Sequence, residues 1–412
     1  MKAEQIEQCL ALDHKENIQK ARENLQGVVK KTPLIYSDFY SKEYGCNVYI
    51  KPENMQITGS FKLRGAYNKI SNLTQEEAEK GIIASSAGNH AQGVAFSAQK
   101  RGIKAVIVMP NVTPLLKIEA TKAYGAEVVI HGDAYDEAYS KALQLARENG
   151  YTFIHPFDDY DVLCGQGTVG LEILEDLEQI DEILIPVGGG GLIAGVALAV
   201  KTLRPEIKII GVEPLGAMCM KISMEENQVT RLASVKTSAE GVAVKQPGAL
   251  TLAISQKYVD EIVAVSEKDI MEAVLLVLEK HKMVAETAGV VSLAALKKRA
   301  KPGKNIVCLI SGGNIDMVTI SSIINQGLMS RGRIMCFNVE LPDKPGQLLK
   351  VAQILAENGG NVIELEHNQF KALDRYSNKV VLEVTVETNG QEHIKQILEA
   401  LEDHNFEVNR VY

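Results

Sequence analysis

The sequence predicts an α/β fold with a largely parallel sheet, followed by a separate C-terminal unit of ferredoxin-like βαββαβ order. Three observations carry this. From about residue 30 to 320, short β-branched runs alternate with helix-like segments, the pattern of parallel strands joined by crossover helices. Those runs end in turn residues, often glycine, and ligand sites in such folds lie beyond the carboxyl ends of the strands. Near "INQGLMSRGRI" the rhythm changes, and the order of elements from Arg333 onward fits one compact module. The expected division is a first part over 1–325, a linker over 326–332 and a second part over 333–412.

In chain order, "MKAEQIEQCLALDHKENIQKAREN" is polar and helical in spacing, without the apolar stretch of a secretion signal. In "KPENMQITGSFKLRGA", Lys62 follows a glycine, a hydroxyl and an aromatic ring, where a helical pattern begins. "GIIA" reads as a strand leading into "SSAGNHAQG", Ser85 to Gly93. "KAVIVMP", "AEVVIHG", "EILIPVG", "KIIGVEP" and "NIVCLISGG" read as buried strands, with "YDEAYSKALQLARENG" and "GLIAGVALAVKTL" as helices between them. After Arg333, "IMCFNVEL", "NVIELEHNQ" and "KVVLEVTVET" read as strands, the last with Leu382, Val384 and Val386 on one face. "PGQLLKVAQILAENG" reads as a helix, and Ile394, Ile397, Leu398 and Leu401 form one helical stripe.

Composition narrows the function. With 412 residues, 46% of them hydrophobic, the chain can bury more than one core. A formal net charge of −8 argues against nucleic acid and anionic membrane surfaces as partners. The uncharged run Ile183–Val200 has the length of a membrane span, but its four glycines and proline make it read as strand, tight loop and buried helix. The six cysteines are scattered without a CxxC pair, which fits reduced thiols in the cytoplasm.

Three loops and one lysine carry the chemistry. In "IPVGGGGLIAG", glycines 188 to 191 lead from a strand into a helix near Leu192. Bare N–H groups at a helix N-terminus suit a phosphate; a tight turn without ligand is the alternative. In "SSAGNHAQG", Gly88 permits close approach, Asn89 and His90 add polar groups, and the turn could hold a carboxylate. His90 could equally cap the helix or belong to the core. In "LISGGN", Ser311 could be a simple N-cap, and Lys62 a solvated helix residue. Together, an amine, a phosphate cup, an anion-binding turn and a hydroxyl point to pyridoxal phosphate.

These motifs, in this order, resemble the fold-type II pyridoxal phosphate enzymes, and among them the threonine dehydratases, over about residues 15 to 325. The resemblance implies two open, twisted, mainly parallel α/β lobes with the cofactor between them. The C-terminal segment resembles an ACT regulatory domain, with "PDKPGQL" at its first strand-to-helix turn. Carried across, the resemblance implies that Lys62 forms the imine with the cofactor and Phe61 packs beside it. Asn89 would bond the ring hydroxyl, while Gly188, Gly189, Gly190, Gly191 and Leu192 would hold the phosphate. Ser311 would face the ring nitrogen, and Ser86, Ala87, Gly88, Asn89 and His90 would receive the substrate carboxylate. An amino-acid effector, isoleucine or valine, is expected near Asp343, Lys344, Pro345 and Gly346.

Two departures from relatives matter. Serine racemases carry a hydroxyl where this chain has Ala87, which argues against racemisation. Some relatives bind a cation through Glu, a carbonyl and Asp; here Glu213 and Ala217 are joined by Cys219, so no metal is expected. The implied reaction is β-elimination from threonine to 2-oxobutanoate and ammonia, with serine as a second substrate, in a cytoplasmic homotetramer. A β-replacement enzyme, a serine dehydratase and a non-catalytic amino-acid sensor remain as alternatives.

Overall fold

The computed structural model describes residues 3–368 and 379–411. Met1, Lys2 and Gln369, expected in the first helix and a C-terminal strand, lie outside the described residues. The chain divides into two compact units, Met1–Ile315 and Asp316–Tyr412.

In the first unit the chain begins one sheet, builds a second and returns. β1 (Ile35–Tyr36) pairs antiparallel with β2 (Asn47–Pro52). β3 (Ile82–Ser85), β4 (Ala105–Met109), β5 (Glu127–Ile130) and β6 (Thr152–Phe153) form a parallel sheet in the order β5-β4-β3-β6. β7 (Glu182–Pro186), β8 (Lys208–Pro214), β9 (Glu261–Val265) and β10 (Asn305–Ile310) complete the first sheet as β1-β2-β10-β7-β8-β9, parallel except at β1. The continuous apolar runs follow from burial on both faces: every residue of β3, β4 and β7 is buried.

The apolar run at Ile183–Val200 divides as the glycines dictate. β7 ends at Pro186, and the helix Gly191–Leu203 is buried at every residue from Gly191 to Val200. Among the described residues, no helix is long and apolar enough to cross a membrane. The N-terminal stretch forms two helices, Ala3–Leu10 and His14–Leu25. Asp13 separates them because its carboxylate accepts the Glu16 N–H at 3.0 Å and caps the second.

The second unit opens with the helix Met317–Ser330, which runs through most of the stretch expected as a linker. β11 (Ile334–Pro342), the helix Gln347–Glu357, β12 (Asn361–Asn368), β13 (Lys379–Glu387), the helix Gln391–Asp403 and β14 (Val408–Arg410) give the βαββαβ order. The sheet is antiparallel, β12-β13-β11-β14. Leu382, Val384 and Val386 face inward with Val380, against Ile394, Ile397 and Leu401, so period-two and helical stripes meet in one core.

Candidate active site

Lys62 is the first residue of the helix Lys62–Ser71. Its position is set two residues on, by Arg64. The buried Arg64 guanidinium donates to Glu53 at 2.8 and 2.9 Å and to Glu172 at 2.6 and 3.0 Å. Glu172 also pairs with buried Lys51 at 2.7 Å. Burial works against the Arg64 charge, but the two carboxylates outweigh it and raise its pKa. This cluster ties the helix start to the end of β2 and to the helix Tyr160–Asp176.

The Lys62 amine donates to the Pro156 carbonyl at 2.8 Å and lies 5.3 Å from the Phe61 ring centroid. Phe61 packs in turn against the core of the larger sheet. Burial pushes the amine down to about 8, with the Glu286 charge acting in the opposite sense. A lysine held this way supplies neutral amine at far lower pH than a solvated one, as a nucleophile or base requires.

Pro156 belongs to "HPFDD", a loop that sequence reasoning missed. It follows β6, the strand-end position where such folds place ligands, and that was the available signal. His155 Nδ1 accepts the N–H groups of Phe157 at 3.3 Å and Asp158 at 2.8 Å. Those bonds require a neutral ring with its proton on Nε2, and burial pushes His155 down to about 4. Asp158 accepts the N–H groups of Ala249, Leu250 and Thr251 at 2.9 to 3.2 Å, capping the helix Ala249–Tyr258.

Phe157 brings the lysine's loop to the glycines, its ring lying directly against Gly189. Gly190 adopts φ +93°, which L side chains avoid, and caps the helix that begins at Gly191. The Thr251 hydroxyl donates to the Gly189 carbonyl at 2.7 Å. The N–H groups at the start of that helix have no carbonyl one turn earlier and form an anion cup.

The turn after β3 meets the lysine from the smaller sheet. The helix Asn89–Arg101 begins there, with Gly88 as its cap residue, and Gly93 lies close against the Lys62 backbone. The Ser86 hydroxyl accepts the Gly88 N–H at 3.2 Å. Ala87 adds only a methyl group. His90 is buried, with Nε2 2.9 Å from the Ile154 carbonyl. Burial, followed by the Lys62 charge, lowers it to about 3. Its imidazole is therefore committed to the fold.

Ser311 lies at the end of β10 and is joined to the lysine loop, where the Phe61 N–H donates to the Ser311 carbonyl at 3.1 Å. Its hydroxyl is 3.4 Å from the Ala288 carbonyl. Glu286 and Asn314 complete the cluster, and neither was assigned a role from sequence. Asn89 Nδ2 donates to Glu286 Oε1 at 2.6 Å, and Asn314 Nδ2 donates to Asn89 Oδ1 at 2.7 Å. A lone glutamate in the small, apolar stretch "MVAETAGVV" was the signal for the first.

Glu213 accepts the Met220 and Lys221 N–H groups at 2.8 and 2.9 Å. Ala217 and Cys219 are buried, and the Cys219 thiol donates to the Gly188 carbonyl at 3.7 Å. Both Glu213 oxygens are thus engaged by backbone.

The structure brings Lys62, the glycine loop, Asn89 and Ser311 together. The set fits a phosphate-bearing aldehyde: an amine of lowered pKa, an anion cup, and nearby buried hydroxyls at Thr58, Ser60 and Ser85 that make no hydrogen bond in the protein. Residues 25–312 match the model of the pyridoxal-phosphate dependent enzymes, and residues 337–406 match the ACT domain. An L-threonine ammonia-lyase from Thermotoga maritima is 46% identical over 397 residues, covering 96% of this chain and 99% of that protein. The processed form of threonine deaminase isoform 2 from Solanum lycopersicum superposes with a TM-score of 0.73 at 41% identity, over 79% of this chain and 94% of that one. A serine racemase from Dictyostelium discoideum gives 0.69 at 35% identity, over 73% and 98%. A lysine-centred cup inside the matched residues 25–312, with a relative similar over 96% of the chain, places the chain in the pyridoxal-phosphate dependent enzyme family, extended by an ACT domain.

Proposed function

We propose that the protein dehydrates and deaminates L-threonine to 2-oxobutanoate and ammonia, and L-serine to pyruvate more weakly. The observation that carries this reading is the half-buried Lys62 amine, hydrogen-bonded to Pro156, with the glycine, Asn89 and Ser311 loops around it. The names of the similar proteins support the choice of threonine.

Gly188 to Leu192 would hold the cofactor phosphate, Phe61 would pack beside the ring, and Asn89 and Ser311 would bond it. When bound, the cofactor supplies an electron sink for the substrate's α-carbon. Lys62 anchors it and then, as free amine, takes the α-proton. N–H groups at the start of the helix Asn89–Arg101 orient the substrate carboxylate, with Ser86, Ala87, Gly88 and His90 shaping the turn. The β-hydroxyl leaves as water, and the released unsaturated amine hydrolyses to the 2-oxo acid and ammonia. Ala87 presents no proton donor, which favours elimination over racemisation. The methyl group separating threonine from serine is worth only about 1–3 kcal/mol in a pocket, so both substrates turn over.

The ACT domain would regulate this activity through a small amino acid at the exposed turn Asp343–Gly346, before the helix Gln347–Glu357. A cytoplasmic homotetramer completes the reading; its supports are the family resemblance and six free thiols. The test is 2-oxo acid release from threonine and serine by the cofactor-loaded enzyme, with and without isoleucine or valine. Release from neither substrate refutes the proposed reaction, and release from serine alone refutes the substrate order.

A further inference from the structure

Four loops of the catalytic unit are joined by a hydrogen-bond chain whose direction is fixed from one end. The Thr58 carbonyl accepts from Asn314 Nδ2 at 2.8 Å, and that nitrogen also donates to Asn89 Oδ1 at 2.7 Å. Asn89 Nδ2 then donates to Glu286 Oε1 at 2.6 Å. A backbone carbonyl only accepts, so the Thr58 end alone sets the order of donors and acceptors along the chain. Asn314 must therefore turn its nitrogen to Thr58, and Asn89 its nitrogen to Glu286.

The backbone is shaped for this chain. Gly312 leaves room for it, because a Cβ there would lie 2.5 Å from Glu286 Oε1 and 3.0 Å from Asn89 Nδ2. The Glu286 N–H donates to the Gly312 carbonyl at 3.1 Å, and the Ser311 N–H donates to the Gly289 carbonyl at 3.1 Å. Once its amide is oriented, Asn89 keeps one further N–H available.

We propose that Glu286 and Asn314 are positioning residues that lock the Asn89 amide in the one orientation that presents this N–H to the cofactor. This rests on the reading that the protein binds pyridoxal phosphate. Burial raises the Glu286 carboxyl to about 7, against the Asn89 hydrogen bond and Lys117, with Glu240 and Lys62 also facing it. The half-buried Glu286 carboxyl is held by geometry, 2.6 Å from the Asn89 amide and directly over the bare Gly312 Cα.

The test uses the full chain, stripped of cofactor and titrated with pyridoxal phosphate by absorbance. Glu286→Leu removes the acceptor, whereas Glu286→Gln keeps an amide oxygen for Asn89. Asn314→Asp turns an acceptor toward both Thr58 and Asn89. Glu286→Leu and Asn314→Asp should weaken cofactor binding by about tenfold or more, and Glu286→Gln by about threefold or less. The melting temperature of the stripped Glu286→Leu protein should stay level or rise. A purely structural role predicts the opposite, a lower melting temperature with unchanged affinity, and would overturn the proposal. So would Glu286→Gln binding as weakly as Glu286→Leu. Failure of the unsubstituted protein to bind the cofactor would overturn the underlying reading as well.

Discussion

Gly189→Ala tests the phosphate cup through a clash the structure defines. The added Cβ would stand 2.5 Å from Cγ, Cδ1 and Cε1 of Phe157, where carbon atoms prefer about 3.5–4.0 Å. About 1 Å must be found, and neither side yields easily. The Phe157 N–H is bound to His155, whose ring packs edge-on at 4.8 Å. The next residue, Asp158, holds the start of the helix Ala249–Tyr258. On the other side, the Gly189 carbonyl accepts from Thr251 Oγ1 at 2.7 Å and from the Gly248 N–H at 3.2 Å. Overpacking of this kind costs about 1–3 kcal/mol. If the glycine loop absorbs it, cofactor affinity falls by about five- to 150-fold. Titration of the stripped variant with pyridoxal phosphate measures the loss, and its melting temperature without cofactor reports the strain separately. A lowered melting temperature with affinity within about twofold of the unsubstituted protein would show that the strained loop is not the phosphate seat.

Because the Lys62 pKa is lowered, the amine loses its proton at a lower pH than an ordinary lysine. Attachment of pyridoxal phosphate to the stripped enzyme should therefore accelerate as pH rises and level off above about 8, and a flat stopped-flow profile contradicts this; Lys62→Ala should abolish 2-oxo acid release, and more than a trace would remove Lys62 from the reaction. Ala87→Ser should add racemisation by placing a hydroxyl at the substrate turn, and no rise in D-amino acid on chiral chromatography refutes that role. Arg64→Met strands the Glu53 carboxylate in the interior and leaves Glu172 with Lys51 as its remaining ion-pair partner, and should cost about 3–5 kcal/mol in a denaturant titration; an unchanged midpoint would mean the cluster relaxes. Deleting residues 333–412 should leave cofactor absorbance and basal turnover while removing any response to isoleucine or valine, a coupling of about 1–3 kcal/mol. Loss of cofactor binding on truncation would make the tail part of the catalytic fold.

Periodicity made the architecture legible. Strands buried on both faces read as unbroken apolar runs, and β13 alternates because only one of its faces is covered. The break at Asp13 was less visible, since a capping aspartate inside a polar helical stretch differs little from any other surface acid. The stretch expected as a linker overlaps a helix, because "MVTISSIINQGLMS" has a helical pattern with Asp316 as its cap. At the site, Lys62 and the glycine loop stood out because reactive amines and bare N–H groups leave local signatures. Glu286, Asn314 and Pro156 did not, because each acts through a partner far away in sequence: Glu286 meets Asn89 across 197 positions, and Pro156 meets Lys62 across 94.

That separation also explains how the lysine is held. Core packing alone is non-directional and could tolerate a shifted helix start, whereas the Arg64 fork meets Glu53 and Glu172 in fixed planes. Replacing a buried ion cluster with apolar side chains is often neutral for stability, so the directional hold on the residue two positions beyond Lys62 is the more telling property. The same preference for direction recurs at Asn89, clamped between an acceptor and a donor, and at Pro156, whose neighbours His155 and Asp158 are both bound to backbone N–H groups. The Asn89 amide and the Pro156 loop are each oriented by bonds on the side away from the lysine. Such a pocket can keep about half of the amine uncharged near pH 8 and still offer fixed donors to an incoming anion, two demands that an apolar pocket alone would set against each other.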